Sequence, residues 1–333
     1  MDFDHPDPRP RRRPRFDDED DTRFLTTRRR PRAQPFPESE SESESESESG
    51  AESESDPDPD PDPDEGWTTW LDAVHGPRPR PDWVVTELAA RDTELGILKT
   101  GKEADVHLLR REVPGTDRGA LMAAKRYRDP RHRMFHRDSA YTEGRRVRRS
   151  REMRAMARRT EFGRELLAGQ WAAAEFDALS RLWQLGQGGA IRVPYPVQLR
   201  GTELLLEFVA DSGGAAAPRL AQLRPDADTL TSYWLQLLEA LGTLAAAGLA
   251  HGDLSPYNVL VRGDRLVLID LPQVVDIVGN PLGPQFLARD VRVMTDWFAA
   301  RGLDPARADA PALTAELLHD AGLPPDAAIT ASP

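Results

Sequence analysis

Three oxygen-bearing side chains set the chemistry open to this sequence. In His251-Gly252-Asp253-Leu254-Ser255-Pro256-Tyr257-Asn258 a carboxylate is followed five residues later by an amide. A second carboxylate, Asp270, closes the apolar run Leu266-Val267-Leu268-Ile269. Hard oxygen ligands of this kind suit Mg²⁺, with Mn²⁺ as the alternative, and they leave one carboxylate beside an acceptor group. Phosphoryl transfer asks little more of a protein than positioning and neutralised charge. Asp253 or Asn258 alone would read as a turn residue capping backbone donors. The set of three, after an apolar helical pattern and beside a strand pair, points instead to a metal-assisted site.

The spacing matches the kinase catalytic loop H-x-D-x-x-x-x-N, with a metal-binding Asp twelve residues after the Asn. His251 serves loop geometry in this reading, not proton transfer. Phosphates also need cations, and the 44 Lys and Arg include only three lysines, Lys99, Lys102 and Lys125, all in one predicted β-region. Ammonium and guanidinium are not interchangeable. Lys125, in Ala123-Ala124-Lys125, takes the place of the kinase V-A-I-K lysine that contacts the α/β-phosphates. Its partner should be a helical Glu: Glu175 first, and Glu143, which lies among arginines, second. Gly96-Ile-Leu-Lys-Thr-Gly101-Lys102 fits the opening of a Walker A loop, but Glu103 stands where Ser or Thr is needed and a strand follows. A P-loop NTPase is excluded. With no cysteine, and with histidines that show no ligand spacing, no zinc site is expected.

These residues need elements to hold them. Ala104–Leu109 and Leu121–Tyr127, joined through Pro114-Gly115, read as an antiparallel hairpin with Lys125 on its second strand. Glu94–Lys99 precedes it, and Val193–Gln198 and Glu203–Val209 read as further strands. Trp171, Ala174, Ala178, Leu182 and Leu185 recur at helical spacing, and Leu230–Ala247 forms a second long helix with Leu230, Trp234, Leu237, Leu238, Leu241 and Leu244 on one face. Trp83–Leu88, behind Pro79 and Pro81, is predicted to be a short helix. The expected class is α+β.

The 333 residues carry a net charge of −12, and all of it falls in residues 1–65, which hold 22 acids and 10 arginines. Residues 66–333 hold 34 of each sign. Arg/Pro, Ser-Glu (38–49) and Asp-Pro (56–65) tracts cannot bury apolar surface, so 1–65 is expected to be a disordered tail. Residues 126–164 carry 14 arginines against five acids, an Arg-rich insertion suited to phosphate backbones. No apolar run reaches the roughly eighteen residues that a membrane helix needs, and no secretory h-region opens the chain. A soluble, cytoplasmic protein is expected.

From about Leu95 to Phe298 the chain resembles the RIO atypical protein kinases, closest to the first RIO subfamily (bacterial form). The marks are Thr100-Gly101-Lys102-Glu103-Ala104, similar to the family's S/T-G-K-E-A phosphate loop, Ile269-Asp270-Leu271-Pro272-Gln273, similar to its I-D-x-x-Q metal loop, and Trp171-Ala172-Ala173-Ala174-Glu175-Phe176, similar to its W-A-x-x-E-(F/M) helix. The resemblance implies a two-lobed kinase-like fold: an antiparallel β N-lobe over 66–210 containing the insertion, a reduced, mostly helical C-lobe over 211–305, and a C-terminal tail over 306–333. It implies ATP and Mg²⁺ as cofactors. Lys102 would belong to the phosphate loop, Lys125 would bind phosphates and Glu175 would orient it. Glu207, Phe208 and Val209 would form the adenine hinge, and Asp253 would be the catalytic Asp. Asn258 and Asp270 would bind metal, and Asp270 would also be open to phosphorylation in an ATPase cycle. No A-P-E segment follows Asp270.

The expected function is an ATP-dependent serine/threonine protein kinase acting on an unidentified protein, with the Ser-rich tail open to autophosphorylation. Two alternatives stay open. One is a small-molecule phosphotransferase of the aminoglycoside or choline kinase kind; the other is an ATP-sensing module that contacts RNA or ribosomes through 126–164. Asp253→Asn and Lys125→Ala are each expected to stop transfer with the fold intact.

Overall fold

Alternating strands build one antiparallel sheet that displays the candidate lysine. The computed structural model of the chain describes residues 65–128, 161–304 and 306–330, all within the unit Pro59–Pro333. Residues 1–64 of the expected tail and residues 129–160 of the Arg-rich insertion lie outside the described residues, while Glu65, the last residue assigned to the tail, opens a strand.

The long strands are β3 (Arg91–Thr100), β4 (Ala104–Glu112) and β5 (Gly119–Tyr127), each extending beyond its predicted limits. The short strands β1 (Glu65–Trp67) and β2 (Val74–His75) precede them, and β6 (Pro196–Arg200) and β7 (Glu203–Glu207) follow. The sheet order is β1-β3-β4-β5-β7-β6-β2, so the segment before β3 supplies a strand to both edges. Between those two strands Trp70 crosses one face of the sheet, where Val84, Leu109, Met122, Ala124, Tyr195, Val197 and Leu205 form a small core. Residues 83–88 are extended and turned, not the predicted helix. Val84 and Val85 are buried against the sheet, and a regular helix gives way to that apposition.

Beneath Trp70 lies Arg111, fully buried on β4. Its Nε and Nη2 donate to the two oxygens of Asp92, both at 2.7 Å, and its Nη1 donates to Gln198 at 2.9 Å.

The opposite face of the sheet receives α1 (Glu161–Leu185). The buried stripe of α1 runs through Ala168, Ala172, Ala174, Glu175, Phe176, Leu179 and Leu182. Leu185, predicted on the apolar face, is 41% exposed. Of that predicted face, Ala174 and Leu182 are buried and Trp171 and Ala178 pack half-buried against the cores, so only Leu185 at the helix end turns outward, while Glu175 joins the buried side.

The second lobe is organised by α2 (Ala227–Ala246), capped by Asp226 accepting from the Thr229 amide at 2.8 Å. Leu230, Trp234, Leu237, Leu241 and Leu244 of α2 enter the main core as predicted. There they meet Leu287, Val291, Met294 and Phe298 of α3 (Gly283–Ala299), with Trp234 edge-on to Phe298 at 5.2 Å. Strands β8 (Leu249–Ala250) and β11 (Val275–Asp276) pair with each other, as do β9 (Val259–Arg262) and β10 (Arg265–Leu268). Within the expected C-terminal tail, α4 (Ala310–Asp320) sends Leu317 and Leu318 into the same core, and α5 (Ala327–Thr330) follows. The observed fold is α+β and kinase-like, with the predicted catalytic segment between β8 and β9. Among the described residues no helix is long and apolar enough to cross a membrane.

Candidate active site

On β5, Met122 and Ala124 point into the Trp70 cluster, so Ala123 and Lys125 point the other way, towards α1. Lys125 Nζ lies 2.8 Å from the Glu175 carboxylate and 2.7 Å from Asp270 Oδ1. Burial opposes the lysine's charge, but Glu175 and then Asp270 hold its pKa above the ordinary 10.5. Glu175 is 1% exposed and is further satisfied by the Tyr127 hydroxyl and, at 3.2 Å, by the Leu271 amide. One carboxylate therefore ties β5, α1 and the segment after β10 together. Burial, followed by the Glu175 charge, raises the Tyr127 phenol well above 10.0, so it stays a donor.

The Lys125 side chain is only 12% exposed. Its removal would leave a buried carboxylate without its cation, which is strongly destabilising. The expectation that Lys125→Ala leaves the fold intact is therefore replaced by one of substantial loss. Glu143 lies outside the described residues.

The loop after β8 is anchored from below. Asp290 on α3, 1% exposed, accepts the Gly252 amide on Oδ2 at 2.7 Å and the Leu254 amide on Oδ1 at 2.9 Å. Burial raises its pKa, with His251 and the two amides acting in the opposite direction. Gly252 has φ +84°, and a Cβ there would stand 2.2 Å from the Gln273 carbonyl oxygen. Only glycine lets the two loops approach that closely. His251 is fully buried; its Nε2 donates to the Ile269 carbonyl at 3.0 Å and its Nδ1 accepts the Asp253 amide at 3.4 Å. This is the loop-shaping role expected of it.

Asn258 Nδ2 donates to the Asp253 carbonyl at 2.9 Å, which leaves the amide oxygen as its acceptor end. Arg289, the residue before Asp290, donates to Asp253 Oδ1 at 2.9 Å and to the Gly252 carbonyl at 3.2 Å.

Asp270 has φ +64°, the one non-glycine with positive φ among the described residues. Such backbone strain gathers at functional positions. Burial pushes its carboxyl up, but Lys125, with help from His251 and Lys99, brings it below the ordinary 3.8. Its side chain stays 42% exposed. Among the described residues no group of three or more His, Cys, Asp or Glu is placed to hold a metal. An amide oxygen and a carboxylate still fit Mg²⁺, which takes one or two protein ligands and completes its shell with water and substrate phosphates. A divalent ion held there would neutralise phosphate charge.

Glu207, Phe208 and Val209 leave the end of β7 where the lobes join. The Glu207 carboxylate is engaged by Arg262 and, at 3.1 Å, by the Tyr195 amide. Val209 is buried with Ala217 and Val267. Lys102 is exposed in the turn between β3 and β4, and of the two lysines flanking that turn it is Lys99 whose charge helps lower Asp270. Gly101 admits the tight turn: a Cβ there would lie 2.7 Å from the Ala104 carbonyl oxygen.

Lys125, Glu175 and Asp270 thus meet directly, and Asp253 and Asn258 share one loop joined to Asp270 through the Ile269 amide and Asn258 carbonyl at 3.0 Å. Sequence reasoning missed Tyr127, Arg289 and Asp290. The Arg289-Asp290 pair sits in a helix with buried Leu287, Val291 and Met294, and an acid three or four residues from apolar positions was the available signal.

Comparison with known proteins gives the family. A family model described as "RIO domain" matches residues 118–312. The chain is 36% identical over 134 residues to the RIO-type serine/threonine-protein kinase Rio1 of Haloferax volcanii, covering 40% of this chain and 43% of that protein. It is 30% identical over 135 residues to serine/threonine-protein kinase RIO1 of Saccharomyces cerevisiae, covering 40% and 27%. With RIO1 of Caenorhabditis elegans it shares 28% over 229 residues, 68% of this chain and 41% of that one. In each case the match spans less than half the length of the relative. With more than half of its residues matched by that model, the chain belongs to the RIO domain family.

Proposed function

We propose that the chain is an ATP- and Mg²⁺-dependent serine/threonine protein kinase of the RIO type. The observation that carries this reading is the Lys125 ammonium held between Glu175 and Asp270. A fixed cation beside a carboxylate of low pKa, next to an Asp/Asn loop, is what positioning a triphosphate demands. Lys125 would hold the α/β-phosphates, and residues 207–209 would take the adenine through backbone groups. Asp253 would accept the acceptor hydroxyl's proton as its oxygen bonds to the γ-phosphorus and the bond to the β–γ bridging oxygen breaks, releasing ADP. The RIO kinase names of the relatives support the same class.

A second mode is supported by the half-buried Asp270, with its positive φ and its carboxylate held ionised by Lys125. Its carboxylate oxygen would bond to the γ-phosphorus as the bond to the β–γ bridging oxygen breaks and ADP leaves. Water would then hydrolyse the acyl phosphate to free Asp270 and inorganic phosphate, making the protein an ATPase. Mass-spectrometric mapping of phosphate after incubation with Mg-ATP separates the two. Acid-stable phosphoserine or phosphothreonine on protein supports the kinase, and acid-labile phosphate on Asp270 supports the ATPase. Label that appears only on an added aminoglycoside or choline would overturn both. Localisation to the cytoplasm and RNA contact through 126–164 remain part of the proposal, the latter tested by salt-dependent RNA binding.

A further inference from the structure

Tyr257, the residue before Asn258, is 56% exposed, and its turn meets the turn over residues 220–222, along which three arginines are placed. Arg219 donates to the Tyr257 carbonyl at 2.8 Å. Arg301, just past α3, lies 3.8 Å over the Trp297 ring and donates at 3.4 Å to the Ala221 carbonyl. Arg224 follows the same turn, is exposed, and donates to the neighbouring Leu223 carbonyl at 3.1 Å. That turn packs on the one formed by Pro256–Asn258, so the three cations border the loop that carries Asp253.

No described carboxylate lies within 4.0 Å of any of the three, whereas Arg126, Arg262 and Arg289 nearby are all paired. Of the acids close in sequence, Asp226 caps α2, Asp228 lies in its first turn and Asp304 accepts the Ala306 amide. The Arg301 Nε is buried without a hydrogen-bond partner. Arg219 and Arg301 are half-buried, and only Arg219 feels a nearby acid, Asp270, through space. Burying a cation without an ion pair costs free energy, which a carboxylate arriving from a partner offsets. Arginine forks match carboxylates bidentately.

We propose that Arg219, Arg224 and Arg301 form the docking surface for acidic side chains flanking the acceptor hydroxyl, so that the substrate is a serine or threonine in an acidic peptide segment. This rests on the kinase reading: Asp253 receives the hydroxyl while the three arginines hold its neighbours.

The test compares two fluorescent peptides, alternating Ser-Glu and alternating Ser-Gln, binding to the full chain by anisotropy. Both report on one site, so any internal competitor cancels in their affinity ratio. The wild type should prefer the Glu peptide by roughly tenfold, as three modest ion pairs allow, with the preference shrinking as salt rises. Arg224→Gln with Arg301→Gln should bring the ratio near one. If that double variant melts early, the exposed change Arg224→Glu alone should still lower the ratio by about threefold. A preference that survives these changes, or no preference in the wild type, overturns the proposal. Intact preference without any phosphoryl transfer would contradict the kinase reading and leave the docking surface standing.

Discussion

Lys125 Nζ stands 2.7 Å from Asp270 Oδ1, although the two residues are 145 positions apart. The pair joins the sheet lobe to the loop after β10, and Glu175 completes it from α1. Its ionisation therefore links stability to pH.

The Asp270 carboxyl is lowered in the fold, so its ionised form contributes stability above 3.8 that is lost as the pH falls through its lowered value. Asp270→Asn keeps a residue that tolerates positive φ and mimics the protonated state. The stability gap between wild type and Asp270→Asn, from urea midpoints, should narrow as the pH falls from about 6 to about 3. A gap that widens would mean that Lys125 does not hold this carboxylate.

Asp290→Ala leaves the buried Gly252 and Leu254 amides unsatisfied, at about 1–3 kcal/mol each. Unfolding free energy should fall by several kcal/mol, and turnover should fall because the loop bearing Asp253 loses its anchor. Asp290→Asn keeps one acceptor and should lose less of both. Urea unfolding beside steady-state turnover checks this, and an Asp290→Ala protein with wild-type turnover would refute the anchoring role.

Arg111 is fully buried and Asp92 receives it at 2.7 Å on both oxygens. Asp92→Ala should cost about 3–5 kcal/mol by leaving the guanidinium unpaired, while Asp92→Leu with Arg111→Met should recover most of that loss. Chemical denaturation of the two variants decides it; equal losses would show that packing, not charge pairing, dominates there.

The candidate site was legible where its chemistry is local. His251 to Asn258 and Asp270 lie on one short stretch, and scarce lysine singled out Lys125. Glu175 could be named from its place in the apolar helix, with the helix motif around it favouring it over Glu143, because a buried lysine needs a carboxylate that such a helix can present. Asp290 was illegible for a different reason: an acid on an amphipathic helix reads as solvent-facing until the loop above it is known to need an acceptor. The same holds for Arg111, since nothing local in β4 announces that Trp70, Asp92 and Gln198 enclose it. Residues 83–88 read as helical behind their prolines, but the sheet beneath buries Val84 and Val85 in an extended path. Strand and helix order followed from alternation and turn residues, whereas long-range burial of charge did not.

The most direct test of the phosphoryl-transfer site is γ-phosphate turnover from Mg-ATP by the full chain and by Asp253→Asn, with ATP affinity measured in parallel. Asp253 should act in the transfer step alone, so kcat should fall by about 10²–10⁴ while ATP affinity stays within about twofold. Wild-type turnover in Asp253→Asn would contradict the assignment.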